Sequence, residues 1–302
     1  MLNLVVYNRL AGKGRGEKTA SKISRLISRL GQEVILFSND LEPQFEEYLK
    51  NNNFDEKNTR IIVVGGDGTL STIVNAVKHS GKNFPLAVYP AGTANDFSSY
   101  AKLPKNKKKF VRTIFNTSPK AVDLIMAENY YGIHAVGSGN FTHSMENFNK
   151  HAKRIAGRFG YYIKCFFRAF KKRGEAVKIV ADGKEFNADL LFFYVVNSAV
   201  VGGFKKFSPQ TKSSDGVLEL VGFKPCNFFA FVILFIKMIL GCHLKSKNVV
   251  YLRAKEFKLE VSENSRIFKY MDVDGNLVKT FTNKVCVEEK ALFFYTKEGG
   301  VR

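Results

Sequence analysis

The densest chemistry in the sequence lies where Val63-Val64-Gly65-Gly66-Asp67-Gly68-Thr69 runs into the amphipathic stretch Leu70–Val77. An apolar strand ends in two glycines, followed by a carboxylate, a third glycine and a hydroxyl, and then a helix begins. Glycines without Cβ let backbone N–H groups approach phosphate oxygens, and a helix N-terminus adds partial positive charge. Asp67 offers oxygen where Mg²⁺ accompanying phosphates would sit. A second loop, Tyr89-Pro90-Ala91-Gly92-Thr93-Ala94-Asn95-Asp96-Phe97, repeats the pattern of strand, small residues, hydroxyl, amide and carboxylate. By itself it also reads as a helix start capped by Asn95 or Asp96. A third, Asn8 to Gly16, combines glycines with Arg9, Lys13 and Arg15, which again suits phosphate. Far along the chain, Asp272 and Asp274 flank a turn, Asp274-Gly275-Asn276, that can present a carboxylate.

Other nucleotide motifs fail on spacing. The stretch from Gly12 has Glu17 where a P-loop requires glycine, no GxGxxG follows the first strand, and the protein-kinase motifs are missing. His79, His134, His143, His151 and His243 show no metal-ligand spacing. Cys165, Cys226, Cys242 and Cys286 form no CxxC pair, which argues against a disulfide framework or a zinc site and fits a reducing compartment.

The loops need a frame. Leu2–Tyr7, Glu33–Phe37, Arg60–Val64 and Pro85–Tyr89 read as apolar strands. Between them Glu17–Leu30, Leu41–Asn51 and Leu70–His79 have helical periodicity, with Ala20, Ile23, Leu26, Ile27 and Leu30 on one face of the first. Strands alternating with helices predict a parallel sheet covered on both faces, with ligands at the carboxyl ends of its strands. The basic run Lys105–Lys109 reads as a solvated helix start. From Ala121 strand signals dominate, and Asp182-Gly183, Asp215-Gly216 and Asp274-Gly275 look like hairpin turns. The expected fold class is therefore α/β plus β: a parallel-sheet domain over residues 1–120, then an antiparallel sandwich or barrel over 121–302. Two helical regions, His151–Lys172 and Asn227–Leu240, are inserted in the latter.

With 302 residues, 47 Lys and Arg against 27 acids and a formal charge of +20, the chain attracts polyanions. Nucleic acid is not expected, because no recognition motif accompanies the charge. The N-terminus shows no secretory signal pattern. Phe228–Leu240, the one segment resembling a membrane span, reaches only ~20 Å against the ~30 Å of a bilayer core. Its apolar residues are expected mainly in the core, with an outer stripe available to lipid. Lys150–Lys172 interleaves basic and aromatic residues, a pattern that suits either an anionic membrane surface or the second domain's core.

The pair Gly65-Gly66-Asp67-Gly68-Thr69 and Gly92-Thr93-x-Asn95-Asp96-Phe97 resembles the bacterial diacylglycerol kinase and lipid kinase family. The likeness continues in order through Asp123, Gly137-x-Gly139, Asn197, Gly202-Gly203, Lys212-x-x-Asp215-Gly216 and Asp274-Gly275. This resemblance implies a nucleotide-binding domain, a lipid-substrate domain whose last segment has room to return to the first, and an active site in the cleft between them. It implies ATP contacts at Asn8, Gly12, Ser38, Gly65, Gly66, Asp67, Gly68, Thr69, Thr93 and Asn95, and Mg²⁺ held through Asp67 and Asp96. It also implies a metal-binding loop at Lys212, Asp215 and Val217, and catalysis by Asp67, Asp96 and Asp274. The implied setting is cytoplasmic, at the anionic inner face of a membrane, with a lipid as acceptor and a homodimer allowed. Two departures stand out. Asn276 replaces the Glu of the family's Asp-Gly-Glu motif, which leaves Asp274, with Asp272, to accept the substrate proton. Arg9 replaces the proline that the family prefers. A kinase of NAD kinase type, or a lipid- or nucleotide-binding regulator with little activity, is the alternative.

Overall fold

The computed structural model describes residues 1–9, 14–39, 44–92, 95–140, 173–201, 204–279 and 281–297. It divides into two units, Met1–Val122 with Lys290–Arg302, and Asp123–Glu289.

In the first unit the order is β1 (Leu2–Tyr7), α1 (Gly16–Ser28), β2 (Glu33–Ser38), α2 (Gln44–Asn51), β3 (Thr59–Gly65), α3 (Asp67–His79), β4 (Leu86–Pro90), α4 (Asp96–Tyr100) and α5 (Lys107–Asn116). The strands pair in parallel in the order β2-β1-β3-β4. Every residue of β3 is buried, as a strand covered on both faces requires. The register sets Tyr7 beside Ser38 and Val64, and Gly65 beside Pro90, so all four carboxyl ends meet at one edge. Helix α1 buries Ala20, Ile23, Ser24 and Ile27. Leu30, expected on that face, lies beyond the helix and is exposed, because Gly31 takes a positive φ of 72° and ends the run. The basic run does start a helix: Asn106 Oδ1 accepts the N–H of Lys109 at 3.1 Å. Arg60 is buried over the rings of Phe115 and Tyr295, donating to the Ile114 carbonyl at 2.7 Å, and burial lowers its pKa.

Further elements among the described residues are β5 (Pro119–Ala127), β6 (Tyr130–Gly132), β7 (Ala135–Gly139), β8 (Glu175–Ala181), β9 (Lys184–Leu190), β10 (Phe192–Val196), β11 (Leu218–Phe223), α6 (Phe228–Leu240), a 3-10 turn at His243–Lys245, β12 (Val249–Ala254), β13 (Glu256–Val261), β14 (Met271–Val273), β15 (Asn276–Val278) and β16 (Lys284–Tyr295). Strands β12-β11-β10-β7-β14-β15 form an antiparallel sheet, while β13 pairs antiparallel with β8 and with the first residues of β16. Phe193, Val195, Leu220 and Met271 pack with Val177, Ile179, Phe257 and Leu259 into one core. Strand β16 runs across the boundary at Lys290, and its Phe294 pairs with Leu86 of β4.

Two Asp-Gly pairs are hairpin turns. Asp182-Gly183 joins β8 to β9, and Asp274-Gly275 joins β14 to β15, with both residues of each at positive φ. Asp215-Gly216 is not a hairpin: it leads into β11, whose neighbours are β10 and β12, and the Gly216 N–H is held by Asp123 Oδ2 at 2.8 Å. Helix α6 is capped by Asn227, which accepts the Ala230 N–H, and closed by Gly241 at φ 79°. Its burial is narrower than expected from the sequence. Only Phe231, Leu234 and Met238 are buried.

His243, buried against Phe207 and Phe223, has its pKa depressed to about 4 by burial. The unfolded chain therefore binds the extra proton below its ordinary value of about 6.5, and stability rises with pH between about 4 and 6.5. His243→Phe should remove on the order of 2 kcal/mol of the stability difference between pH 7 and 4.5. Urea unfolding of both proteins at the two pH values measures it; equal losses would exclude His243 as the cause.

Candidate active site

The glycine loops touch. A Cβ on Gly92 would lie 2.4 Å from the Gly66 Cα, and one on Gly66 would lie 2.9 Å from the Gly92 Cα, so neither position admits a side chain. The Ala91 N–H also donates to the Gly65 carbonyl at 2.9 Å. Asn95 locks the second loop from within: its Oδ1 accepts the Gly92 N–H and its Nδ2 donates to the Gly92 carbonyl, both at 2.7 Å. It does so in the left-handed conformation, φ 56° and ψ 48°, which Asn tolerates better than most residues.

Helix α3 begins at Asp67, three residues earlier than the periodicity suggests, because Gly66 is extended and its carbonyl already accepts the Leu70 N–H at 3.0 Å. Asp67 thus stands in the first turn, where the helix dipole favours negative charge. Its side chain is buried, and its Oδ1 accepts the Phe97 N–H at 3.2 Å, tying the first loop to the start of α4, where Asp96 sits. Asn8 and Ser38 lie at the same sheet edge. A Cβ on Gly16 would meet the Asn8 carbonyl, so α1 starts hard against the end of β1. The structure therefore brings together Asn8, Ser38, Gly65, Gly66, Asp67, Gly68, Thr69, Asn95 and Asp96. Gly12 and Thr93 lie outside the described residues, as do Gly202-Gly203, His143, His151, Cys165 and the Lys150–Lys172 stretch. The donor set is hard oxygen plus backbone N–H, which fits Mg²⁺ and phosphate.

In the second unit Asp274 has a task that its sequence does not reveal. Its carboxylate accepts three successive backbone N–H groups, Ile133 at 2.6 Å, His134 at 2.8 Å and Ala135 at 3.0 Å. Asp272, buried on β14, accepts the Tyr194 hydroxyl at 3.1 Å. Partners so distant in sequence leave no local signal. At the other loop, Asp215 Oδ2 accepts Arg253 Nη2 at 3.2 Å and its Oδ1 accepts the Val217 N–H at 3.3 Å. Arg253 Nε also lies 3.3 Å from the buried Glu219, whose other oxygen takes the hydroxyls of Ser208 and Thr211. Burial, with Glu219 nearby, pushes Tyr251 up to about 12. The positive charge facing Asp215 is the guanidinium of Arg253, and a cation held through Lys212, Asp215 and Val217 would share the carboxylate with it.

A buried carboxylate between interlocked glycine loops, at the carboxyl edge of a parallel sheet, is the equipment of a phosphoryl-handling enzyme. The family described as "Diacylglycerol kinase catalytic domain" matches residues 3–127, and "YegS C-terminal NAD kinase beta sandwich-like domain" matches residues 135–294. A diacylglycerol kinase of Bacillus subtilis (strain 168) is 26% identical over 280 residues, covering 92% of both chains. One of Staphylococcus haemolyticus is 26% identical, covering 92% of this chain and 84% of that protein. A solved diacylglycerol kinase from Bacillus anthracis str. Sterne shares the fold, with a TM-score of 0.79 at 23% identity over 99% of this chain and 98% of that one. The chain belongs to the bacterial diacylglycerol kinase family and is a lipid kinase. Among the described residues no helix is long and apolar enough to cross a membrane.

Proposed function

We propose that this lipid kinase transfers the γ-phosphoryl group of ATP, with Mg²⁺, to the free hydroxyl of diacylglycerol or a related lipid at an anionic membrane surface. The observation that carries the nucleotide assignment is the Gly66–Gly92 contact, which holds Asp67 beside two helix starts. Backbone N–H groups of the glycine loops bind phosphate oxygens, and Asn8, Ser38, Thr69 and Asn95 line the same edge. Asp67 and Asp96 would hold Mg²⁺, which supplies positive charge against the phosphoryl oxygens. The acceptor oxygen bonds to the γ-phosphorus as the bond to the bridging oxygen of ADP breaks. The hydroxyl proton passes to a carboxylate of the second unit, and Asp274, with Asp272, is the candidate. Phosphoryl transfer asks mainly for position and charge stabilisation, so a weak base suffices.

Asn276 favours one second reading, a protein that binds nucleotide and lipid but transfers slowly. Labelled ATP, Mg²⁺ and a panel of diacylglycerol, sphingoid lipids and NAD, resolved by thin-layer chromatography, separates these. Labelled phosphatidate or another lipid phosphate is expected. Transfer to NAD alone would overturn the lipid reading, and binding without any transfer would establish the regulator. Asn276→Glu should raise turnover several-fold. A drop in turnover would remove the idea that a carboxylate is missing there.

A further inference from the structure

The outer face of α6 is apolar and open. Phe228, Phe229, Ile233, Ile236, Ile239 and Leu240 are between 51% and 78% exposed. At about 100° per residue these six fall within an arc of ~140°, opposite the seam of Phe231, Leu234 and Met238 that packs on Phe204, Phe207 and Phe223. Large apolar side chains are normally scattered singly over a protein surface, and a contiguous set marks a surface that meets something apolar. The charges around it indicate what. Between Glu219 and Glu256 the chain contains no Asp or Glu, while Lys224, Lys237, Lys245 and Lys247 flank or belong to α6. Lys206 joins them, its Cβ lying against Gly241 at the helix end. Among the described residues none of these five lysines is in an ion pair, whereas Arg253 and Lys255 of the same interval are engaged with acids.

We propose that α6 lies flat in the interface of an anionic bilayer, its phenylalanines and isoleucines among the acyl chains and its lysines against the headgroups. Apolar burial and attraction to anionic lipid act together in such helices. Thirteen residues reach only ~20 Å, so the helix lies on the membrane and does not span it. The lysines of this acid-free segment distinguish this occupant from a second copy of the chain, which would bring the same positive charges face to face. The inference rests on the lipid-kinase reading only for its purpose, and the test is independent of catalysis.

The full chain, without nucleotide, is floated with vesicles of phosphatidylglycerol and phosphatidylcholine, and with phosphatidylcholine alone. Strong flotation with the anionic vesicles, weakened by 0.5 M salt, is expected. The variant Phe229→Glu/Ile233→Glu/Ile236→Glu should partition at least about thirtyfold less. Its unchanged circular dichroism and thermal melt, together with unchanged turnover of a water-dispersed short-chain diacylglycerol, would show that it is folded. A solvatochromic dye on Phe229→Cys, in a chain whose four native cysteines are replaced by Ser, should shift to the blue on vesicle addition. Wild-type protein that stays unbound, a triple variant that floats like wild type, or a dimer that the triple variant dissociates would each overturn the proposal. Flotation lost in the variant, in a protein that phosphorylates no lipid, would leave the docking face standing and remove the kinase reading instead.

Discussion

Asp67→Asn should lower turnover by about 10³-fold while leaving the melting temperature nearly unchanged. Asn keeps the shape of the side chain and an oxygen for the Phe97 N–H, so the tie to the second loop survives. Negative charge is what disappears. In the first turn of α3 that charge adds only about 0.5 kcal/mol to stability. In the proposed role of Mg²⁺ ligand on the transferring phosphate it would act where charge develops, and losing such a stabiliser costs about 4 kcal/mol of barrier, hence the thousandfold. Steady-state turnover with saturating ATP and lipid measures it, alongside a thermal melt. Wild-type turnover at any Mg²⁺ concentration would remove Asp67 from the mechanism.

Asp274→Ala should lower the stability of the second unit by about 3 kcal/mol. Three backbone donors at Ile133, His134 and Ala135 would lose the carboxylate that gathers them, and a half-buried charged acceptor is worth about 1–2 kcal/mol per bond before water compensates. For a unit of this size the melting temperature should fall by roughly 6–12 °C. The sequence reading gives Asp274 as a proton acceptor, and its three hydrogen bonds add a structural task to that one. Calorimetry reads the stability, and turnover well below the melting range reads the chemistry. A melting temperature equal to wild type would show that the three bonds carry nothing. Wild-type turnover of the folded variant would restrict Asp274 to holding the fold together.

These two residues show what the sequence could and could not disclose. Asp67 was legible because its neighbours in sequence are its neighbours in space: strand, glycines and helix follow within a dozen residues, each with its own local signal. The parallel strands were legible for the same reason, their ends shifting by a residue at most. Asp274 was legible as a turn residue, since Asp-Gly at positive φ is a local matter, but its three donors lie some 140 residues away. Asp215-Gly216 looked the same on paper and is no hairpin, because Asp123 takes its N–H and redirects the chain into β11. Helix α6 was legible as a helix with an outer stripe available to lipid, but not which residues make that stripe. A run apolar on nearly every face does not say which side meets the core.

Strand β16 has a consequence for the order in which the protein matures. Phe294 pairs beside Leu86 and its ring lies 4.5 Å from that of Phe97, while the Lys297 N–H reaches the Ala101 carbonyl. A nascent chain that has emerged only as far as Val122 thus holds every glycine loop, yet β4 has one flank bare and Phe97 is without that ring. Such an exposed strand edge invites pairing with other chains. The sheet that carries the glycine loops is thus closed by residues made after the whole second unit, so its assembly on the ribosome does not proceed one unit after the other.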